Sequence, residues 1–150
     1  NPTLCAFAEA RKIPFNEVLK TNEKVDYPQL KNMMIVSIGT GNIKASYKYE
    51  DFKDTLKIKW INPIIDMLLS SNSETVHYQI TQFYKSMNTK DKNNYYRLEP
   101  TLKDASPKMD DASKENIEKL IQAGAYYVDE NKEPLTEIAK KLIMNKMQKI

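Results

Sequence analysis

The sequence predicts an α/β fold that is rich in helix. Apolar residues recur at helical spacing in the regions 60–87 and 117–143, whereas 33–38 is a short, nearly unbroken apolar run closed by glycine. Such a run fits a strand buried on both faces of a parallel sheet. A second short strand is predicted at 95–98. Because two strands do not make a sheet that is stable alone, we expect the remaining strands of the fold outside this chain.

The composition fits one folded domain, or part of one, over residues 1–150. With 41% hydrophobic residues the chain has enough apolar material for a core. The single cysteine excludes an internal disulfide and a multi-cysteine zinc site. Its 23 basic and 20 acidic residues are spread along the chain, and only two of the basic residues are arginine, so nucleic acid is not an expected partner. No metal and no cofactor are expected.

The first third of the chain combines one helix with irregular segments. Asn1 as a cap and Pro2 in the first turn predict a helix over about residues 3–12. An irregular connection is predicted over 14–32. Residues 42–58 show little periodicity and are predicted to form a surface loop without a core.

The middle third is predicted to be helical in two stretches, about 60–69 and 76–87. Four consecutive polar residues at 70–73 are expected to separate two helices or to bend one. Ser71 with Glu74 three positions later has the spacing of a capping box, which would begin the second helix.

The last third predicts two further helices, with apolar stripes at 117–128 and 135–143. Asp110, Asp111 and Ser113 are candidate capping residues before the first of them. The adjacent carboxylates of Asp110 and Asp111 could also serve as acid and base or bind a cation. Since neighbouring residues at a helix start point in different directions, capping is the favoured interpretation.

The residues of this chain do not form a recognisable catalytic motif. The nucleophile elbow of a serine hydrolase needs a glycine on either side of the serine, and none of Gly39, Gly41 and Gly124 brackets one in this way. His77, the only histidine, sits within a helical pattern, which favours a structural role over membership of a Ser-His-Asp triad. We therefore expect no catalytic residue in this chain.

The glycine loop at 39–41 follows the first predicted strand at its C-terminal end. Open α/β sheets place their sites at this edge. Two glycines are also what a tight strand exit requires, and this structural interpretation is the favoured one. A role in supporting a site remains the alternative.

Four segments in this order resemble the patatin-like phospholipase family. They are Asn-Pro-Thr-Leu-Cys-Ala-Phe-Ala-Glu-Ala at 1–10, Met-Ile-Val-Ser-Ile-Gly-Thr-Gly at 34–41, Asn-Tyr-Tyr-Arg-Leu at 94–98, and Met-Asp-Asp-Ala-Ser at 109–113 followed by Asn116-Ile117. The resemblance covers roughly residues 1 to 143. It implies a patatin-like fold with a central, mostly parallel sheet, of which this chain is the helix-rich C-terminal portion.

The resemblance also implies an activity: hydrolysis of fatty acyl esters of phospholipids or related lipids by a Ser-Asp dyad. In such a dyad the aspartate acts directly as general base on the serine, and a glycine-rich loop supplies the oxyanion hole. The family's serine elbow and its aspartate are expected upstream of Asn1, so the chain alone is expected to be inactive. Asn1, Pro2, Gly39, Thr40 and Gly41 are the candidate residues that support the site.

Partners and location follow from the resemblance. We expect a phospholipid or other acyl-ester substrate, the N-terminal part of the same domain as a partner, and contact with a peripheral membrane surface. A cytoplasmic or peripheral membrane location is expected, with secretion left open. Two alternatives remain: a catalytically inactive patatin-like module that binds lipid or protein, and an unrelated helical scaffold. The second predicts that residues 34–39 do not pair as an interior strand.

Overall fold

The computed structural model describes residues 1–14, 27–43, 47–54, 57–87 and 94–147. The chain forms two compact units. The first comprises residues 1–37 and 45–97, and the second comprises residues 38–44 and 98–150.

The first helix, α1, spans Thr3–Ala10. Pro2 is its N-cap residue, and the preceding Asn1 accepts the backbone N–H of Thr3 with its side-chain Oδ1 at 3.2 Å. The Pro2 carbonyl then accepts the first intrahelical bond, from Ala6 N at 2.9 Å. The helix begins at the predicted residue, but the predicted cap is wrong because Pro2 and not Asn1 occupies the N-cap position. The helix ends two residues earlier than predicted.

Two strands pair in parallel. β1 spans Ile35–Ile38 and β2 spans Tyr95–Leu98. The ladder runs from Ile35 N, which donates to Asn94 O at 2.8 Å, to Gly39 N, which donates to Leu98 O at 2.7 Å. The second strand lies where it was predicted. The first begins two residues late, after a 3-10 turn at Leu30–Asn32.

The prediction that β1 is buried on both faces is wrong for this chain. Ser37 is 6% exposed, but the next residue, Ile38, is 75% exposed. Side chains of a strand alternate between the two faces. In the first unit the face that carries Ile35 and Tyr95 packs against a long helix, which is the second helix of the chain.

That helix, α2, spans Ile61–Ser86 without interruption, so the predicted separation into two helices at 70–73 is wrong. The polar residues there bond back to the helix itself: Ser70 Oγ donates to Asp66 O at 2.7 Å, and Thr75 Oγ1 donates to Ser71 O at 2.8 Å. Such back-bonding lets hydroxyl side chains sit inside a helix. Because Ser71 lies in mid-helix, the predicted capping box does not form.

The core of the first unit lies along the C-terminal half of α2. Val76, Ile80 and Tyr84 are 8%, 0% and 1% exposed. Partly buried apolar side chains surround them: Leu4, Phe7, Leu30, Ile35, Met87 and Tyr95. In the N-terminal half of α2, large apolar side chains are exposed, namely Ile61, Ile64, Ile65, Leu68 and Leu69.

The region predicted as a surface loop before α2 contains short 3-10 turns at Tyr49–Asp51 and Lys57–Trp60. It also contains a small aromatic cluster that the sequence did not predict. The Phe52 ring centroid lies 5.9 Å from that of Tyr47 and 5.1 Å from that of Trp60.

The second unit contains α3, Lys114–Glu130, and α4, Lys132–Met147, as predicted. Ser113 caps α3, since its Oγ accepts the backbone N–H of Asn116 at 3.3 Å. Asp111 in turn accepts the Ser113 hydroxyl at 2.8 Å, and this bond lowers the pKa of the Asp111 carboxyl. Ser113 is thus the capping residue among the three candidates, and Asp111 bonds to it.

Candidate functional site

Polar side chains from four elements of the first unit meet beside the parallel strands. We call this set the polar junction; its members are Asn1, Thr3, Ser37, Ser73 and Arg97. Thr3 and Ser37 are each 6% exposed. Buried hydroxyl groups need hydrogen-bond partners, and the junction supplies them.

Strand periodicity brings the two strand members together. Ser37 shares a face of β1 with Ile35, and Arg97 shares a face of β2 with Tyr95, because positions i and i+2 point the same way. Ile35 and Tyr95 pack against the α2 core. Ser37 and Arg97 therefore point to the side of the sheet that α2 covers, where Ser73 lies one turn before Val76.

Arg97 bonds to two serines on two different elements. Its Nη1 donates to Ser37 Oγ at 2.8 Å, and its Nη2 donates to Ser73 Oγ at 3.2 Å. A guanidinium group can only donate, so both serine oxygens accept from it. Bonds to a charged donor are stronger than bonds between neutral groups.

Asn1 is held at both ends of its amide. The Asn1 Oδ1 lies 2.6 Å from the Thr3 hydroxyl, which donates to it, and 3.5 Å from Ser37 Oγ. Its Nδ2 donates to the backbone carbonyl of Ser73 at 3.2 Å. Since none of the junction's members is a carboxylate, an imidazole or a thiol, the junction can orient the segment at Asn1 but cannot act as a general base.

His77 bonds to a tyrosine, not to a serine or an aspartate. Its Nδ1 lies 3.0 Å from the Tyr95 hydroxyl, and the two rings are 5.5 Å apart. Burial raises the pKa of the Tyr95 hydroxyl, with a smaller opposing effect from the Arg97 charge. This arrangement fits the structural role that the sequence favoured for His77.

The loop at Gly39, Thr40 and Gly41 belongs to the second unit, where it meets Glu99. The Glu99 carboxylate fills the space that a Cβ at Gly39 would occupy, and Gly41 N donates to Glu99 Oε1 at 3.1 Å. Gly41 also has a φ of 100°, in the left-handed region. Both glycines are therefore explained by close packing at a strand exit, and Thr40 is exposed.

Of the predicted site residues, Asn1 belongs to the polar junction, while Pro2 is exposed at the start of α1. That these residues and the glycine loop support a catalytic site stays a prediction. Sequence analysis did not single out Ser37, Ser73 or Arg97. The available signal for Ser37 was a polar residue within an apolar run. The available signal for Arg97 was a charged residue within a strand.

Within the described ranges, no group of three or more His, Cys, Asp or Glu residues could hold a metal ion. The second unit has a cavity of about 130 Å³ beside Lys103, Tyr126 and Glu130. It is smaller than typical ligand pockets of ~300–1,000 Å³. None of the helices in the part of the chain that the structure describes is both long and apolar enough to span a bilayer.

The chain is similar to curated plant proteins. It is 29% identical over 143 residues to "Patatin-like protein 2" of Oryza sativa subsp. indica, covering 87% of this chain and 34% of that protein. It is 31% identical over 137 residues to "Patatin-like protein 1" of Arabidopsis thaliana, covering 83% and 31%. With "Patatin-2-Kuras 4" of Solanum tuberosum the identity is 29% over 129 residues, covering 83% and 33%.

The chain thus spans about a third of the length of the curated relatives it matches. No protein-family model matches the chain. No solved structure matches it either.

Proposed function

This chain is related to the patatin and patatin-like proteins, and from that relationship we propose that the protein to which it belongs hydrolyses fatty acyl esters of phospholipids or related lipids. The proposed catalyst is a Ser-Asp dyad. In it the aspartate takes the serine proton as the serine attacks the ester carbonyl, and backbone N–H groups stabilise the resulting oxyanion. Both members of the dyad lie outside residues 1–150 in this proposal, upstream of Asn1.

The polar junction is the observation that best supports the proposal. Three of the four segments that resemble the patatin-like phospholipases contribute to it: Asn1 and Thr3 from the first, Ser37 from the second and Arg97 from the third. These segments are far apart in sequence, yet their polar side chains bond to one another. This favours one shared arrangement over chance similarity of short motifs.

The position of the junction is also consistent with a nearby site. Ser37 and Arg97 are each the third residue of a four-residue parallel strand. Sites of open α/β sheets lie at the carboxyl ends of the strands. We propose that this chain supplies the support on which the catalytic segment rests, with Asn1 and Pro2 next to that segment.

Substrate chemistry implies a lipid surface as a partner. A peripheral association would draw on lysine side chains, since the net charge is +3 with 23 basic residues. Binding to anionic liposomes should then weaken as salt is added. Binding that does not respond to salt would contradict an electrostatic contribution.

The test begins with the source protein. Intact mass and N-terminal sequencing would show whether residues precede Asn1, and the proposal expects a G-x-S-x-G elbow and an aspartate among them. That longer protein should hydrolyse a fluorogenic phospholipid, and replacing the elbow serine by alanine should abolish the hydrolysis. Residues 1–150 alone, the matched control, should be inactive.

Two outcomes would contradict the proposal. One is a source protein without an elbow serine. The other is an intact elbow with no hydrolysis of any acyl ester. In either case the catalytically inactive module that binds lipid or protein takes its place, and liposome binding by the same protein would be measured next.

A further inference from the structure

We propose that Arg97 is a positioning residue, which holds the segment at Asn1 in place through two serines. This inference rests on the proposed function, because it concerns the geometry of the proposed dyad. Arg97 does not contact the reacting atoms in this view. It acts through Ser37 and Ser73.

The contacts form a closed ring of four residues. Arg97 donates to Ser37 at 2.8 Å and to Ser73 at 3.2 Å. Ser37 Oγ lies 3.5 Å from Asn1 Oδ1, and the Ser73 carbonyl accepts Asn1 Nδ2 at 3.2 Å. The same two serines thus link the guanidinium to both ends of the Asn1 amide.

The direction of the bonds follows from the donors. The Ser37 oxygen accepts from the guanidinium, and Thr3 gives its single hydroxyl hydrogen to Asn1 Oδ1 at 2.6 Å. The 2.8 Å contact between Thr3 and Ser37 then carries the link from Ser37 to Asn1, while Ser37 Oγ itself lies 3.5 Å from Asn1 Oδ1. Asn1 Nδ2 has its acceptor on α2, so the amide cannot rotate or flip without breaking a bond to α1 or α2.

A fixed Asn1 also fixes the backbone that leads to it. In the proposed function, the dyad aspartate lies a short distance before Asn1. Misplacement of a catalytic group by ~1 Å can cost about 100-fold in rate. Loss of the ring should therefore lower kcat, whereas substrate binding elsewhere in the protein should keep KM nearly unchanged.

The guanidinium shape is what the ring requires. Two N–H groups of one planar fork reach two hydroxyls on different elements, which a lysine ammonium on a flexible stem cannot reproduce. Arg97→Lys keeps the charge and should recover little activity. Arg97→Ala should be partly rescued by added guanidinium ion, which a role in apolar packing alone would not predict.

The experiment measures kcat and KM of the longer protein with fluorogenic phospholipid. We expect Arg97→Gln to lower kcat about 10- to 100-fold with KM changed less than about threefold. Arg11→Gln is the matched control, since Arg11 is the only other arginine and is exposed at the end of α1. Unchanged kcat in Arg97→Gln, or a kcat that falls only with the folded fraction, would overturn the inference.

Two further measurements keep the inference testable if Arg97→Gln does not fold. Ser73→Ala removes one hydroxyl of the ring while its backbone carbonyl still accepts from Asn1, and we expect an intermediate loss of kcat. In the longer protein, Ser73→Ala should also speed amide hydrogen exchange in the first turn of α1. Unchanged exchange there would count against positioning even if the protein hydrolyses no acyl ester, so the two proposals can fail separately.

Discussion

The hydroxyl oxygens of Thr3 and Ser37 lie 2.8 Å apart, although 34 positions separate the two residues in sequence. Both residues are 6% exposed. This contact joins the first turn of α1 to β1, and it pairs two buried hydroxyls, as buried polar groups require.

Removing either hydroxyl should destabilise the chain, and the two losses should not add. We expect Thr3→Val and Ser37→Ala each to cost about 1–3 kcal/mol of unfolding free energy, because each removes hydrogen bonds from the buried polar junction. The double variant should cost less than the sum by about 0.5–3 kcal/mol. Urea unfolding measures all three, with exposed Thr136→Val as the control. Strictly additive losses would contradict the contact.

Two glycines should respond oppositely to alanine. Gly41 has a φ of 100°, and a Cβ there would collide with the Leu102 side chain, so Gly41→Ala should cost more than about 1 kcal/mol. Gly124 lies inside α3, and an added Cβ would meet nothing within 4 Å, so Gly124→Ala should stabilise by roughly 0.5–1 kcal/mol. Thermal unfolding of both variants checks this. A tolerated Gly41→Ala would mean that the loop relaxes to another conformation.

Tyr84 should make the chain sensitive to alkali. Burial raises the pKa of its hydroxyl from 10.0 to about 12. The unfolded chain therefore loses this proton first as pH rises. The contribution of the protonated Tyr84 to the unfolding free energy is intact below pH 10 and is lost between pH 10 and about 12. Urea midpoints from pH 8 upward should fall less steeply for Tyr84→Phe than for the unchanged chain. Equal slopes would contradict a buried, high-pKa tyrosine.

Tyr84→Phe should also lower the unfolding free energy at neutral pH. The Tyr84 hydroxyl donates to Met33 O at 2.9 Å, and its removal should cost about 1 kcal/mol. Tyr78→Phe is the matched control, because Tyr78 lies on the same helix and is 63% exposed.

The two halves of α2 should respond differently to substitution. Ile80 is 0% exposed, and Ile80→Ala should cost about 2–5 kcal/mol. Leu68 is 65% exposed, and Leu68→Gln should change the stability of residues 1–150 by less than about 0.5 kcal/mol. Urea unfolding of the two variants measures the contrast. A large loss in Leu68→Gln would show that this part of α2 is covered in solution.

The local elements were predictable because their causes are local. The first helix follows from Asn1 and Pro2 at its start, and the α3 cap follows from Ser113, whose hydroxyl accepts a nearby N–H. The strand at Tyr95–Leu98 was predicted at its observed bounds. Each of these depends on residues a few positions apart, which the sequence displays directly.

The errors arose where a partner in space or along the helix outweighed a compositional signal. The polar run at 70–73 suggested a break, but Ser70 and its neighbours satisfy their hydroxyls on helical carbonyls. The apolar run of β1 suggested burial on both faces, yet Ile38 is exposed in this chain. Composition alone does not say which carbonyl or which layer a side chain will meet.

By itself, the sequence determined the helix and strand periods, the α3 cap and the family relationship, since these are written in the order and spacing of residues. Only the tertiary structure decided that Asn1, Ser37, Ser73 and Arg97 close one ring. Hydrogen bonds depend on distances of about 3 Å between atoms. Residues separated by tens of positions reach those distances only after the parallel strands pair and α2 packs across them.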